Sequence, residues 1–408
     1  MNSNNDNKIF NGIDNLINNR HKYAHYKKIG LVSNSKALTA GHKINLIALI
    51  EAGFDVCFIF SPEHGYFANI ADGDYIADAG HPELNIPILS LFTEGHSRNA
   101  ISEALTGAQT VDAVFFDIQD AGVRFYTYIH ALGLTLAACE KQNIPLLVLD
   151  RPNPVSAASL EGGLPVPDYF SELCPYSIPL RYGLTIGELA LYLKGAVYKN
   201  AAIEVAEIQG AYSRDMIFPA TGLKWNAPSP AMLSPETALF YPGTCLFEGV
   251  NLSEGRGTAA PFQTLGAPFI DANAVIGSFY DNLNSLAISD FDFLKLSAAS
   301  FKPISSKYEN TLCSGIYITF KDGKARNFKS LLLGVILLKT IYDLNKDKIN
   351  FLFSEKSRKF FIDRLTGGNA LRETITNGDI YDVYSLYLKW ADEAKNFSNL
   401  SACYRIYK

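Results

Sequence analysis

Short apolar runs alternate with helical patterns through the amino-terminal part of the chain. The run "KKIGLVSNS" at 27–35 leads into a helical pattern at 40–53, and "VDAVFFDIQD" at 111–120 leads into another at 126–143. Two further runs, "DVCFIFS" and "IPLLVLD", are likewise rich in Val, Ile, Leu or Phe. Such runs are typical of strands buried on both faces, and their alternation with helices is typical of a parallel sheet. The pattern therefore predicts an α/β fold.

Proline and glycine become frequent between 155 and 235, where one clear helical pattern begins with Thr185 and Glu188 at the spacing of a capping box. The proline-rich run "NAPSPAMLSPETALFYPGT" closes this region and is typical of a domain boundary. The predicted domains are residues 8–235 and residues 236–408.

Beyond the boundary the pattern is mixed. The segment "SGIYITFKD" alternates as a strand does, whereas 328–344 and 354–368 have helical patterns. These segments predict an α+β carboxyl-terminal domain that is smaller than the first.

The predicted parallel strands end in polar side chains. In open parallel sheets, ligands bind beyond the carboxyl ends of the strands, where the connecting loops converge. The polar side chains at this edge are Ser33 and Asn34, then Ser61, Glu63 and His64, then Asp117, Gln119 and Asp120, and finally Asp150, Arg151 and Asn153. A turn needs only the proline and the glycine of "SPEHG". We therefore expect Glu63 to face a functional site.

Glu63 follows a buried strand and precedes a glycine, a setting that suits a general acid. The structural alternative is that Glu63 caps a helix or pairs with an arginine such as Arg124. Three roles are compatible with the position of His64: it orients Glu63, contacts a substrate or makes a structural hydrogen bond. The sequence leaves these alternatives open.

The stretch "FFDIQDAGVRFYTY" supplies further candidates. Asp117 and Asp120 fit a second catalytic carboxylate or an acceptor for sugar hydroxyls, and the alternative is a turn in which one of them caps the next helix. Arg124 and Tyr126 combine charge with aromatic surface, as a site for an anionic sugar requires. The alternative for the aromatic residues is the hydrophobic core.

Two loops complete the set of candidates. Prolines stiffen "LDRPNP", so Asp150, Arg151 and Asn153 are suited to fixed ligand contacts or to a structural Asp–Arg pair. In "NLSEGRGTAAPF", Glu254 and Arg256 lie between small residues that let a ligand approach the backbone, and the alternative is an exposed turn.

Composition and charge narrow the classes of partner. The 408 residues are 48% hydrophobic and carry a formal net charge of −5 without a basic stripe, so nucleic acid is not expected as a partner. The longest apolar run, at 331–338, is far shorter than a membrane span, and no membrane partner is expected. The six widely spaced cysteines indicate free thiols. The polar, Asn-rich amino terminus lacks the pattern of a signal peptide and predicts a cytoplasmic location, with a periplasmic or secreted one as the alternative for a trimmed chain.

The common cofactor and nucleophile motifs are missing from the sequence. No GxGxxG, GxxxxGK[ST], GxSxG or HExxH occurs, so no nucleotide cofactor is expected. Asp117, Asp120, Asp150 and His64 offer oxygen and nitrogen ligands, but their spacing is not diagnostic of a metal site. We therefore predict neither cofactor nor metal.

Seven motifs resemble, in this order, those of the exo-β-N-acetylmuramidase family: "GLVSNS", "FSPEHG", "FDIQDAGVRFYTY", "LDRPNP", "PLRYGLTIGELA", "YPGTCLFEGVNLSEGRGT" and "LGAPFID". The resemblance extends from about residue 8 to 408. It implies a Rossmann-like amino-terminal domain, a smaller carboxyl-terminal domain and a cleft between them. It also implies a glycoside hydrolase that releases terminal N-acetylmuramic acid from the non-reducing end of peptidoglycan fragments.

The resemblance places the candidate catalytic glutamate at Glu63. Asp117, Asp120 or Glu254 is then the second carboxylate, unless the acetamido oxygen of the sugar takes that part. The lactyl carboxylate of muramic acid requires a cation, for which a guanidinium is well suited. The candidates for substrate binding are Asn34, His64, Arg124, Tyr126, Asp150, Arg151, Asn153, Arg181, Glu254 and Arg256. The alternative function is that of a two-domain protein that binds a cell-wall sugar or another anionic ligand without cleaving it.

Overall fold

The structure of the protein is a computed structural model that describes residues 8–71, 73–93, 96–97, 100–106 and 111–408. Its strands are β1 (Lys28–Ser33), β2 (Asp55–Ser61), β3 (Ala79–Gly80), β4 (Pro87–Ser90), β5 (Phe92–Thr93), β6 (His96–Ser97), β7 (Ala113–Asp117), β8 (Leu146–Leu149), β9 (Leu160–Glu161), β10 (Arg181–Tyr182), β11 (Ile203–Ala206), β12 (Thr264–Ala267), β13 (Leu294–Phe301), β14 (Cys313–Phe320), β15 (Phe353–Ser354) and β16 (Lys359–Phe360).

The helices are α1 (Gly12–Asn18), α2 (Asn45–Glu51), α3 (Ala100–Leu105), α4 (Tyr128–Gln142), α5 (Ile186–Ala196), α6 (Pro235–Thr244), α7 (Ala272–Ser285), α8 (Ser330–Leu344), α9 (Phe361–Thr366), α10 (Ala370–Asn377) and α11 (Ile380–Leu400). None of those in the described ranges is long and apolar enough to cross a membrane. Thr185 and Glu188 form the predicted capping box at the start of α5.

A seven-stranded sheet forms the centre of the amino-terminal domain. Its strand order is β11-β8-β7-β1-β2-β4-β3, and every neighbouring pair is parallel except β3 and β4. The six parallel strands therefore follow the order of a doubly wound sheet. The point at which the strand order reverses lies between the parallel neighbours β1 and β7. This arrangement confirms the predicted Rossmann-like parallel sheet.

Alternating side chains cover the two faces of this sheet. On β7, Phe115 packs with α1 and α2 on one face, whereas Val114 and Phe116 pack with α4 and α5 on the other. All three side chains are fully buried. Burial on both faces explains why the strands appear in the sequence as continuous apolar runs.

The carboxyl-terminal domain is α+β, as predicted. Its antiparallel sheet has the order β12-β14-β13, and α7 and α8 pack against each other beside it. The hydrophobic core on the α4 side of the first sheet continues without a break into this domain. The two domains are therefore joined by a shared core.

The end of the chain returns to the amino-terminal domain. The hydroxyl of Tyr407 donates to Oδ2 of Asp150 over 2.7 Å, and the backbone N–H of Ile406 donates to the buried Glu188 over 2.9 Å. These bonds fix the last residues against the carboxyl end of β8.

One predicted helix is shorter than expected. The pattern at 354–368 gives a helix only at α9, because β15 and β16 form a hairpin before it. Phe353 and Phe360 stand opposite each other in this hairpin, with their ring centroids 5.1 Å apart. This cross-strand aromatic contact favours the hairpin over the first turns of the expected helix.

Candidate active site

The turn after β2 fixes the backbone of Glu63. The N–H of Gly65 donates to the carbonyl of Pro62 over 3.1 Å, and His64 has a positive φ of 73°. A left-handed conformation at a residue other than glycine is costly and is often found at functional sites. Gly65 follows with a φ of 74°, which suits a residue without a Cβ atom. The "EHG" sequence therefore serves the geometry of the turn as well as its chemistry.

Both oxygens of the half-buried Glu63 accept hydrogen bonds. The hydroxyl of Thr127 donates to Oε2 over 2.5 Å, and the N–H of Gly73 donates to Oε1 over 3.1 Å. Thr127 directly precedes α4, so the carboxyl group lies between the end of β2 and the start of that helix. Glu63 is not held by an ion pair with Arg124, which was the structural alternative.

His64 is buried beside Glu63. Its Nδ1 lies 2.9 Å from the carbonyl oxygen of Ile70, and the N–H of Ile70 donates to the carbonyl of His64 over 3.2 Å. Because a carbonyl only accepts, Nδ1 carries the hydrogen in this contact. The ring is therefore held in one orientation at the wall of the site.

Glu63 faces a partly enclosed cavity of about 340 Å³ between the two domains, here named the Glu63 cavity. Aromatic and acidic side chains dominate its wall. The lining residues are Glu63, His64, Gly73, Asp74, Phe92, Phe125, Tyr126, Thr127, Glu172, Leu173, Ser229, Ala231, Met232, Tyr241, Cys245, Glu248, Arg256, Phe262, Phe361, Arg364 and Leu365. Apolar rings with a few polar groups between them are typical of a small-molecule site.

The wall from the carboxyl-terminal domain presents a glutamate and an arginine. Arg256 donates from Nε and Nη2 to Oε1 of Glu248 over 3.1 and 2.7 Å, and its Nε lies 3.6 Å from Oε1 of Glu254. Its guanidinium stands over the ring of Phe262 at 5.0 Å. Glu248 is thus a second carboxylate of the cavity, held in place by Arg256.

A wider groove adjoins the Glu63 cavity. It has a volume of about 1160 Å³, it is more open, and it shares Ala231, Glu248, Arg256 and Phe361 with the cavity. Glu254 lines this groove, where its Oε2 lies 3.1 Å from Nζ of Lys307. The narrower cavity and the more open groove therefore meet at Glu248 and Arg256.

Four of the residues predicted from the sequence line the cavity, namely Glu63, His64, Tyr126 and Arg256. The other predicted residues lie elsewhere, and their contacts show why.

Asp117 and Arg151 form a fully buried ion pair behind the carboxyl ends of β1 and β7. Nε of Arg151 donates to Oδ1 of Asp117 over 2.6 Å, and Asn45 donates to Oδ2 over 2.8 Å. Arg151 also donates to the carbonyl of Leu38 over 3.0 Å. This network fills the crevice at the reversal of the sheet, so neither residue reaches the Glu63 cavity. Their contacts indicate structural roles.

Asp120 and Asp150 are also buried away from the cavity lining. Asp120 accepts from the hydroxyl of Tyr182 and from the N–H of Gly122, and burial raises the pKa of Asp120 to about 6. Asp150 accepts from the hydroxyl of Thr185 and the N–H of Gly187, and burial raises its pKa to about 7. Both carboxyl groups hold loops together.

Two arginines predicted to bind substrate lie outside the cavity and make several hydrogen bonds to the protein itself. The guanidinium of Arg124 is fully buried and donates to the carbonyls of Gly163, Ile178, Leu365 and Thr366. Arg181 is also buried and pairs with Glu161 over 3.0 Å. The hydrogen bonds of these arginines to backbone and buried acceptors join parts of the fold, and neither side chain lines the cavity.

Two asparagines have supporting positions. Asn153 donates to the carbonyl of Leu184 over 2.8 Å. Asn34 donates to the hydroxyl of Tyr128, whose ring meets that of Tyr126 edge-on at a centroid distance of 4.7 Å. Asn34 therefore acts on the cavity wall through the two tyrosines.

Sequence reasoning missed most of the polar residues of the cavity, among them Thr127, Glu172, Glu248 and Arg364. Thr127 and Glu248 lie within motifs that resemble the family, and this was the one signal for them. Arg364 comes from α9, which the fold brings to a site built around β2. Among the described residues, no group of three or more His, Cys, Asp or Glu side chains is arranged to hold a metal ion.

The fold and the cavity define a two-domain α/β protein with a site lined by several carboxyl groups between a Rossmann-like domain and an α+β domain. The family model of the amino-terminal domain of exo-β-N-acetylmuramidase NamZ matches residues 29–236, and that of the carboxyl-terminal domain matches residues 239–407. The chain belongs to this family.

Similar proteins span nearly the whole chain. The peptidoglycan β-N-acetylmuramidase NamZ of Bacillus subtilis (strain 168) is 35% identical over 403 residues, which are 98% of this chain and 92% of that protein. A crystal structure of a DUF1343 family protein from Bacteroides fragilis NCTC 9343 has a TM-score of 0.84 at 26% identity and covers 98% of this chain and 99% of its own. A second one from the same organism has a TM-score of 0.71 at 24% identity with the same coverage, and it shows the fold.

Proposed function

We propose that this protein is a glycoside hydrolase that releases N-acetylmuramic acid from the non-reducing end of peptidoglycan fragments, with Glu63 as its general acid. Family membership and the similarity to a peptidoglycan β-N-acetylmuramidase support the activity. One observation carries the assignment of Glu63. Of the four carboxyl residues considered for catalysis from the sequence, Glu63, Asp117, Asp120 and Glu254, only Glu63 lines the cavity.

The contacts of Glu63 suit proton transfer to a glycosidic oxygen. One carboxyl oxygen meets a threonine hydroxyl and the other meets a backbone N–H, so the plane of the carboxyl group is fixed. Because a hydroxyl accepts as readily as it donates, the contact with Thr127 is compatible with both protonation states of Glu63. A general acid passes through both states in each turnover.

Glu248 is the better candidate for the second carboxyl group. Asp117 is held in its ion pair with Arg151, and Asp120 is buried against Tyr182. Glu248 lies in the wall of the Glu63 cavity and has a side chain that is 17% exposed. It takes the part of base or nucleophile, and the alternative is the acetamido oxygen of the substrate itself.

The shape of the site suits removal of a terminal sugar. The partly enclosed cavity takes the muramic acid unit, and the open groove beyond Glu248 and Arg256 takes the remainder of the fragment. The smaller volume of the cavity suits a single sugar unit, and the wider groove suits a longer segment. This arrangement supports exo-cleavage.

The test uses the disaccharide of N-acetylmuramic acid and N-acetylglucosamine. We expect the wild type to release free N-acetylmuramic acid, detected by mass spectrometry. The nearly isosteric Glu63→Gln variant should bind the disaccharide, measured by calorimetry, without releasing N-acetylmuramic acid from it. Binding without release by either protein would instead support a non-catalytic binder of cell-wall sugars. Release by Glu63→Gln at the wild-type rate would refute the role of Glu63.

A further inference from the structure

Two arginines line the Glu63 cavity in the described part of the chain, Arg256 and Arg364. Their electrostatic surroundings differ. Arg256 lies between the carboxylates of Glu248 and Glu254, at 2.7 and 3.6 Å. Its charge is thus already matched by acidic groups of the protein, which suits it to holding Glu248 in place.

Arg364 has a different kind of partner. Its Nη2 lies 2.5 Å from Oε1 of Glu172, and this is the one hydrogen bond that its guanidinium makes to the described residues. The side chain of Arg364 is 16% exposed, whereas that of Glu172 is 43% exposed. The arginine is therefore held within the wall, and its partner carboxylate stands half in solvent.

Such an ion pair exchanges its carboxylate easily. A half-exposed glutamate keeps much of its hydration when it leaves, so the cost of separating it from Arg364 is small. A guanidinium binds both oxygens of an incoming carboxylate through two parallel N–H donors. The hydrogen bond to Glu172 uses only Nη2. Arg364 can therefore exchange a single-contact partner for a bidentate one.

We propose that Arg364 is the binding subsite for the lactyl carboxylate of the substrate and that Glu172 is its counter-ion in the empty cavity, which the substrate replaces. This inference rests on the proposed function. It assigns recognition of the anionic group to α9 of the carboxyl-terminal domain, whereas the carboxyl group that cleaves the bond comes from β2 of the first domain. Both domains must then contact the same sugar.

The exchange also explains how a neutral sugar would be rejected. A hexosamine without a lactyl group leaves Arg364 paired with Glu172, so it gains nothing from this subsite. An anionic sugar gains a bidentate contact with Arg364 in the cavity wall, where a charge-assisted hydrogen bond is stronger than in water. The preference for an acid over its neutral analogue is therefore the direct measure of this subsite.

The test compares two chromogenic substrates, 4-nitrophenyl β-N-acetylmuramide and its lactyl carboxamide, which differ in charge but hardly in shape. We expect the wild type to prefer the carboxylate by on the order of 100-fold in kcat/KM, as for a buried charge pair. Arg364→Met should abolish this preference by lowering kcat/KM for the carboxylate alone. Where turnover of the carboxamide is too slow, its competitive inhibition constant gives the same comparison.

Glu172→Gln tests the exchange itself. Without its counter-ion, Arg364 should bind the carboxylate several-fold more tightly, seen as a lower KM, while the carboxamide is unaffected. Arg326→Met is the matched control, because Arg326 also pairs with one carboxylate, Asp322, and lines no part of the cavity. Thermal melting of each variant shows whether it is folded.

The outcomes separate this inference from the proposed function. If the wild type cleaves neither substrate, the proposed function fails. If the wild type cleaves the carboxylate and Arg364→Met lowers kcat/KM equally for both substrates, Arg364 is structural and the inference is overturned. An unchanged preference in Arg364→Met, or a weaker affinity of Glu172→Gln for the carboxylate, also overturns it.

Discussion

The hydroxyl of Thr127 lies 2.5 Å from Oε2 of Glu63. This contact joins the end of the second parallel strand to the start of α4 across the floor of the cavity. Together with the N–H of Gly73 on Oε1, it fixes the orientation of the carboxyl group. The orientation of the proposed general acid therefore depends on the uncharged side chain of Thr127.

Thr127→Val removes this hydroxyl with little change in shape. We expect kcat on the muramic acid disaccharide to fall by roughly 10- to 100-fold, the range for a lost hydrogen bond to a charged group, with KM nearly unchanged. Thr127→Ser keeps the hydroxyl and should retain most of the activity. A similar loss in both variants would show that the methyl group, and not the hydroxyl, matters.

Glu248→Gln tests the second carboxyl group. If Glu248 acts as base or nucleophile, kcat should fall by at least about 100-fold, since general acid–base groups contribute roughly 10²–10⁴-fold. Retention of the wild-type rate would leave the acetamido oxygen of the substrate as the internal nucleophile. The measurement is steady-state kinetics on the disaccharide, with Glu254→Gln as the control from the outer groove.

Asp117→Asn should affect stability more than chemistry. The substitution leaves the buried guanidinium of Arg151 without its counter-ion, which costs about 3–5 kcal/mol of the free energy of unfolding. Urea denaturation measures this loss. The folded fraction should keep the wild-type KM and kcat. A stable variant without turnover would instead support the catalytic role that the sequence suggested for Asp117.

Asp150 makes the stability depend on pH. Its pKa in the folded protein is raised by burial from 3.8 to about 7, so between these values the folded protein retains a proton that the unfolded chain has released. The contribution of Asp150 to the free energy of unfolding is therefore fully present below about pH 4. It declines as the pH rises towards 7.

Asp150→Asn removes this titration. One oxygen remains for the backbone N–H donors of Arg151 and Gly187, and the new amide meets the hydroxyls of Thr185 and Tyr407, which can turn to accept. We expect the free energy of unfolding of the variant, relative to the wild type, to rise between pH 4 and 7 and then to level off. A difference that is flat across this range would contradict the assignment. Denaturation at a series of pH values measures it.

Local patterns predicted much of the fold. The apolar runs around Phe60 and Phe115 are buried on both faces of the sheet, as their composition indicates, and Thr185 caps its helix. The position of Glu63 followed from the same logic, because parallel strands deliver their loops to one edge. These are relations between residues close in sequence or on adjacent strands.

The choice among the arginines was beyond the sequence. The aromatic and polar neighbours of Arg124 in its motif suggested a ligand-binding residue. Its guanidinium instead donates to the carbonyls of Gly163 and Thr366, which are distant in the chain. Arg364 lies in α9, within the helical pattern predicted at 354–368, and reaches the cavity only because the second domain packs against the first. Tertiary contacts decide which guanidinium is hydrogen-bonded to backbone carbonyls and which one reaches the cavity.

The most direct test of the central claim, that Glu63 protonates the leaving oxygen, varies the leaving group. Glu63→Gln should lose nearly all activity on the disaccharide, whose sugar alkoxide needs a proton to depart. It should keep much of the wild-type rate on 2,4-dinitrophenyl β-N-acetylmuramide, whose leaving group departs without one. An equal loss of activity on both substrates would contradict the role of Glu63 as the general acid.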